Sequence, residues 1–321
     1  MKTEHDRTTR LAPSPTGRLH MGNAWALLLN WAIARANHWR VLLRMEDLDD
    51  SRVREGDAEV VLEDLRWLGI DHDGPVHYQS RRIERYREAL QSLQALDRTY
   101  ACSLSRRQIE EALSAPHEHP GTIVASLGRR HEAETTGVDG PTNQRFVCEE
   151  GVVHIEDVIA GSYSEDPGST VGDFIIWTKQ GVPAYQLAVV VDDADMGVTD
   201  VIRGNDLLSS SARQVRLYEV LDKPAPRWWH LPLVVDQEGR RLAKRHGDRC
   251  LEAYRQSGVS AQKIIGLIAR WCGFIDRHEP LDVEVFLQLA ACQDWTKSGS
   301  SFLSGPVMFT EEDHQWLMER S

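Results

Sequence analysis

A chain of 321 residues is long enough for about two domains and a sizeable core. With 41% hydrophobic and 27% charged residues, and no run approaching the ~20 consecutive apolar positions of a membrane span, the composition argues against a membrane-embedded protein. The net charge of −12 argues against a protein that coats nucleic acid nonspecifically, because phosphate contacts require Lys and Arg.

The first nine residues, MKTEHDRTT, carry no apolar core of the signal-peptide kind, so a cytoplasmic address and no membrane partner are expected. Five cysteines, at 102, 148, 250, 272 and 292, are scattered without a CxxC pair and are odd in number, which predicts reduced thiols.

In chain order, a short strand at 9–12 leads into PSPTG, a helical run at 22–36 and a β-rich run, WRVLLRM, from 39: a β-α-β unit. Ala24, Leu27, Leu28, Trp31 and Arg35 follow helical spacing, so one stripe is expected to face a sheet. A second helix is predicted over 56–68, ended by Gly69, and a third from Ser80 as N-cap through Leu96. RRIERYR (81–87) reads as a solvated helix face balanced by neighbouring acids.

Residues 116–143 show little periodicity and read as a loop-rich insertion, followed by strand-like RFVCEEGVVHIEDVIAGSYS. After two hairpin-like strands, LAVVV reads as a buried parallel strand delivering an acidic loop (Asp192, Asp193, Asp195) to a crevice. A helix over 209–221 with a Ser cap and a strand HLPLVVD complete the alternation. From 251 onward the chain reads as mostly helical, with Ser260 before AQKIIGLIARWCGF.

Two segments carry chemistry. PSPTGRLHMGN (13–23) places glycines and His20 before a helix start, where unpaired N–H groups and the positive end of the macrodipole suit a phosphate. RRLAKR (240–245) follows a strand and its DQEG turn, where a Lys can neutralise a leaving pyrophosphate. They sit at the two ends of one α/β unit, in the order that brings both to the C-terminal edge of a doubly wound sheet.

This pair resembles the HIGH and KMSKS signatures of class I aminoacyl-tRNA synthetases, in the versions of the glutamate-specific branch. RLAPSPTG (10–17), LLRMEDLDDSR (42–52) and AYQLAVVVDDADMGVTDVIRGNDLL (184–208) extend the resemblance over roughly residues 8–250. About 70 residues follow RLAKR, whereas helical anticodon-binding domains need about 150 or more, which points to the truncated members of the branch. Those attach glutamate to the queuosine base of tRNA(Asp). Two other readings stay open: a shortened enzyme that charges tRNA(Glu), and a noncatalytic synthetase-derived module binding tRNA or nucleotide.

The resemblance implies an α/β fold, a Rossmann-like doubly wound parallel sheet with an inserted α+β acceptor-type subdomain and a short C-terminal helical region. The expected boundaries are 1–98 and 184–250 for the two catalytic halves, 99–183 for the insertion and 251–321 for the helical region. It also implies L-glutamate, ATP with Mg2+, and queuosine-bearing tRNA(Asp) as ligands. His20 and Lys244 are the implied catalytic pair; His20, Gly22, Asn23, Arg241 and Lys244 the ATP site; Arg10, Leu11, Ala12, Pro13, Ser14, Glu46, Tyr185 and Arg203 the glutamate site. Asn23 stands where many class I enzymes carry a second His, and Arg241 and Ala243 replace a Lys and a Ser.

Relatives hold zinc through Cys-x-Cys and a YPGTC-like stretch. Here the text is YACSLS and HPGTIV, with Leu104, His119 and Ile123 at three ligand positions and Cys102 retained, so no structural zinc is expected.

Overall fold

The computed structural model of the protein describes residues 7–49, 52–103, 141–242, 250–295 and 305–319. Lys244, Ala243, Leu104, His119 and Ile123 lie outside the described residues, as does most of the expected loop-rich insertion.

The core of the molecule is a parallel sheet. Strand β1 (Thr8–Leu11) pairs with β2 (Arg40–Met45), and β2 pairs with β3 (Val76–Tyr78). A second parallel pair joins β9 (Asp200–Gly204) to β10 (Arg227–Leu231). The pairs are joined edge to edge: the Thr199 N–H donates to Thr8 O at 2.9 Å, and the buried Asn30 amide donates to Arg10 O at 3.0 Å and to Ile202 O at 3.1 Å. One side chain thus satisfies carbonyls of β1 and β9, which a buried edge demands.

From β1 the chain moves one way, through α1 (Met21–Ala36) to β2. From β9 it moves the other way, through α6 (Leu208–Val220) to β10. Strand order therefore reverses between β1 and β9, and the carboxyl ends of the strands open there into a crevice.

Helix α1 departs from the expected single stripe. Met21, Ala24, Trp25 and every residue from Leu27 to Ala34 are buried. It lies between the sheet and α9 (Val283–Ala291), so an apolar surface all round is the stable solution. Helix α2 spans Asp57–Trp67 and Gly69 follows at φ 72°, the left-handed position that ends a helix.

Ser80 is not an N-cap. It sits in a 3-10 turn (Gln79–Arg82) and its N–H and hydroxyl both donate to Asp47, while α3 runs Ile83–Ala95. Arg82, just before α3, and Arg85, on it, pair with Asp195, and Arg87 pairs with Glu84, the balanced face expected of RRIERYR. The Ser cap of α6 is also replaced: a 3-10 turn (Asn205–Leu207) precedes it and Leu207 holds the cap position.

LAVVV is not a strand. It lies inside α5 (Tyr185–Asp195), and Asp192, Asp193 and Asp195 are helical rather than in a loop. A short continuous apolar run fits a buried helix as well as a buried strand, and here all of Gln186 to Asp193 is buried.

Strands β4 (Thr99–Cys102), β5 (Asn143–Phe146) and β8 (Phe174–Trp177) form an antiparallel sheet, and β6 (Val153–Asp157) and β7 (Gly161–Glu165) a hairpin. These pack with α3, α5 and α6 around a second apolar cluster that includes Tyr86, Phe146 and Trp228. HLPLVVD is divided between the end of β10 and β11 (Val234–Val235), the break falling at Pro232, which has no N–H for a ladder. In the C-terminal region the Ser260 hydroxyl caps the helix Ala261–Trp271 as expected. Among the described residues no helix is long and apolar enough to cross a membrane.

Candidate functional site

A cleft of about 490 Å3 opens at the carboxyl ends of β1, β2, β9 and β10. Ala12, Pro13 and Ser14 leave β1 along its wall, Glu46 leaves β2, and Gly204 and Pro232 mark the ends of β9 and β10. The Glu46 N–H donates to Pro13 O at 3.0 Å, so the two strand extensions hold each other.

The helix end forms one wall. His20 is the N-cap of α1: the Gly22 N–H donates to its Nδ1 at 3.1 Å, and the His20 N–H donates to Asn23 Oδ1 at 3.0 Å. This is a reciprocal capping box. Acceptance at Nδ1 places the proton of the neutral ring on Nε2, which makes that edge a donor. A Cβ at position 22 would stand 3.0 Å from His20 Cε1 and 3.1 Å from Nδ1, so glycine leaves room for the imidazole to fold over the helix end.

The turn before it is tied to the far end of the 243–249 segment. The Leu251 N–H donates to Leu19 O at 2.8 Å, His20 forms a bridge with Cys250, and Arg18 Nε lies 2.5 Å from Glu252. At the near end Leu242 is buried and Arg241 pairs with Asp206 at the cleft rim. Both flanks of the segment that contains Lys244 therefore meet the cleft.

Behind the floor lies a buried charge network. Asp193 accepts from Arg10 Nε at 3.1 Å and from Arg44 at 2.6 Å, and Arg44 also donates to Glu46 at 3.2 Å. Arg44 and Asp193 have fully buried side chains. Burial alone would raise Asp193, but Arg10 and Arg44 outweigh it and hold its carboxyl below the usual range. Glu46 moves the other way: burial raises it, and Arg44 and Arg10 offset that only partly.

Neighbouring Asp192 faces Arg82 and Gln79, each at 2.8 Å, and the Tyr86 hydroxyl, also at 2.8 Å. It ties α5 to α3 behind the site.

Arg203, on β9, enters from the opposite side. It donates to His230 Nε2 at 3.0 Å, Ser211 Oγ at 2.7 Å and Leu207 O at 3.2 Å, and one terminal nitrogen lies 3.5 Å from the Tyr185 hydroxyl.

The structure thus brings Arg10, Ala12, Pro13, Ser14, His20, Gly22, Asn23, Glu46, Tyr185, Arg203 and Arg241 to one cleft. Leu11 is the exception: its side chain is fully buried in the sheet core and does not line the cleft. Strand alternation explains this, since Arg10 and Leu11 face opposite sides. Asn23 reaches the cleft, yet its carbonyl oxygen serves the capping box.

Sequence reasoning left out Arg44, Asp193, His230 and Asp157, which shape the site from behind, and Arg18 and Arg52, which line it. A charged residue inside an apolar strand, as in RVLLRM, is the signal that could have exposed Arg44. Among the described residues no group of three or more His, Cys, Asp or Glu is placed to hold a metal ion.

Residues 7–288 match the family model for the catalytic domain of class I tRNA synthetases (E and Q). The chain is 44% identical over 292 residues to the glutamyl-Q tRNA(Asp) synthetase of Symbiobacterium thermophilum, covering 86% of this chain and 89% of that protein. It is 42% identical to the glutamyl-Q tRNA(Asp) synthetase of Nitratidesulfovibrio vulgaris, over 84% of this chain and 88% of that one. A glutamate tRNA ligase from Elizabethkingia meningosepticum, solved with its amino acid, superposes with a TM-score of 0.75 at 24% identity, covering 97% of this chain and 68% of that one, which shows the shared fold.

Proposed function

The chain belongs to the class I tRNA synthetase family that comprises the glutamate and glutamine enzymes, and from that premise we propose that it activates L-glutamate with ATP and passes it to the queuosine base of tRNA(Asp). One observation carries the choice of amino acid. Two buried guanidiniums, Arg10 and Arg203, and one carboxylate, Glu46, line the same cleft. Glutamate brings two carboxylates and one ammonium, the complement of that set. Glutamine or a monocarboxylic amino acid would bring a carboxylate to only one of the two guanidiniums.

In this reading Arg10 and the Nη1 edge of Arg203 hold carboxylates, Tyr185 and Ser14 add hydroxyls, and Glu46 accepts from the α-ammonium. Ala12 and Pro13 contribute backbone and shape, and Leu11 contributes only through the strand it fixes. His20 donates from Nε2 to the α-phosphate, Gly22 opens the helix end, and Asn23 keeps His20 in place. Arg241 and Lys244 neutralise the pyrophosphate as it leaves.

The α-carboxylate oxygen forms a bond to the α-phosphorus while the bond to the bridging oxygen breaks. Magnesium enters on the nucleotide phosphates. A queuosine hydroxyl then attacks the activated carbonyl and AMP departs. The boundaries 1–98, 99–183, 184–250 and 251–321 divide the chain into catalytic halves, insertion and helical region, and the reaction belongs in the cytoplasm with its tRNA and ATP.

Amino-acid-dependent exchange of labelled pyrophosphate into ATP tests the first step. Exchange is expected with glutamate and not with glutamine or aspartate; equal exchange with glutamine would remove the charge-matching account.

A further inference from the structure

Behind Arg203 lies a buried polar chain. Asp157, at the end of β6, accepts through Oδ1 the N–H groups of Ile159 at 2.9 Å, Ala160 at 2.7 Å and His230 at 3.1 Å. Its Oδ2 lies 2.6 Å from His230 Nδ1, and both side chains are fully buried. His230 Nε2 in turn accepts from Arg203 Nε at 3.0 Å. Ser211 Oγ lies 3.3 Å from that same nitrogen and 2.7 Å from Arg203 Nη2.

Ser211, His230 and Asp157 stand in the sequence of a nucleophilic triad, but the geometry serves something else. Ser211 is fully buried, and the nitrogen that would act as base is occupied by a guanidinium donor.

Hydrogen bonding leaves one tautomer. Asp157 is an acceptor, so His230 carries its proton on Nδ1. Nε2 is then the acceptor that the Arg203 Nε–H requires. We infer that Asp157 and His230 are a positioning pair that sets this tautomer and thereby aims the Arg203 guanidinium into the amino-acid end of the cleft.

Three further constraints hold Arg203: the Ser211 hydroxyl, Leu207 O, and the Trp228 ring, whose centroid lies 4.8 Å from its Cζ. Trp228 also stacks on His230, with centroids 6.1 Å apart at 18°. With Nε and Nη2 engaged by protein, the Nη1 edge is the one turned toward Tyr185. Burial holds His230 below its ordinary value although Asp157 pulls the other way, which agrees with a neutral ring.

The inference rests on the assignment of glutamate to this cleft, and the pyrophosphate-exchange assay separates the two. Asp157→Asn keeps the shape. Its amide oxygen must take the three backbone N–H groups, so its NH2 faces His230 Nδ1. The ring proton then moves to Nε2 and opposes the Arg203 N–H. Loss of a hydrogen bond to a charged group predicts a glutamate KM raised about tenfold or more, with the ATP KM changed less than about twofold.

His230→Ala should raise the glutamate KM similarly, while His230→Gln, which offers an amide oxygen near the Nε2 position, should stay within about threefold of the unmodified protein. The Ala and Gln variants decide the matter if Asp157→Asn does not fold. An unchanged glutamate KM in Asp157→Asn or His230→Ala would overturn the inference, as would glutamate and ATP KM rising together, or no recovery with Gln. Absence of glutamate-dependent exchange in the unmodified protein would instead overturn the substrate assignment, and the inference with it.

Discussion

Arg10 and Asp193 meet at 3.1 Å, from β1 and α5, with 4% of the arginine side chain and none of the aspartate exposed. The same carboxylate holds Arg44. Removing it takes the carboxylate partner of Arg10 and the nearest one of Arg44, and breaking a buried pair from one side costs about 3 kcal/mol or more. Asp193→Asn should therefore lose about that much in urea unfolding at pH 7.

The pH dependence has a definite sign. Asp193 is held low in the folded protein, so its stabilisation is present above the unfolded carboxyl value, about 3.9, and is lost as pH falls through the folded value. The gap between the unmodified protein and the variant should narrow on acidification below about pH 4. A variant as stable as the parent at pH 7 would show that the network does not depend on this carboxylate.

Gly22 and His20 form the second relationship open to test. A methyl group at 22 would press on the imidazole at 3.0 Å and drive it off the helix end. Alanine is the better helix former by about 1 kcal/mol, so stability should hold or rise slightly while adenylate formation falls by about tenfold or more. Stopped-flow measurement of pyrophosphate release separates the two effects. Full activity in Gly22→Ala would mean that the imidazole is not needed where the structure puts it.

Asp64 titrates in the opposite sense to Asp193. It is fully buried on α2, neither oxygen accepts a hydrogen bond from a described residue, and its closest cation is Arg255 at 3.6 Å. Burial, offset in part by Arg255, raises it to about 6. A raised acid stabilises the folded state most when protonated, and that advantage is lost as pH rises from the unfolded value through the folded one. Asp64→Asn does not titrate, so relative to the parent it should gain about 2 kcal/mol between pH 4.5 and pH 8. Urea unfolding at the two pH values checks this; an identical difference at both would place the Asp64 carboxyl at an ordinary value.

Much of the site was legible because its chemistry is local. The turn 13–23 reads as a helix start with a ligand-facing end, and it is one. Arg10, Glu46 and Arg203 sit just before or after strand ends, where an alternating α/β pattern already puts a crevice. What stayed hidden depends on contacts far apart in sequence. Asp193 matters because it faces Arg10 and Arg44, 183 and 149 residues away.

His230 looked like the first residue of HLPLVVD and nothing more, since its partners Asp157 and Arg203 come from other strands. Reading LAVVV as a strand had a related cause. Five buried apolar residues carry no period, and what makes them helical is packing on all sides. That error also placed the three aspartates in a loop, when their helix turns Asp193 toward the cleft floor and Asp192 toward Arg82 and Tyr86.

The central claim is transfer to a modified base. Labelled glutamate and ATP, incubated with the purified protein and with tRNA(Asp) prepared with and without queuosine, test it directly, and tRNA(Glu) is the control. Label is expected on queuosine-bearing tRNA(Asp) alone; equal labelling of both tRNA(Asp) preparations, or labelling of tRNA(Glu) only, would contradict it.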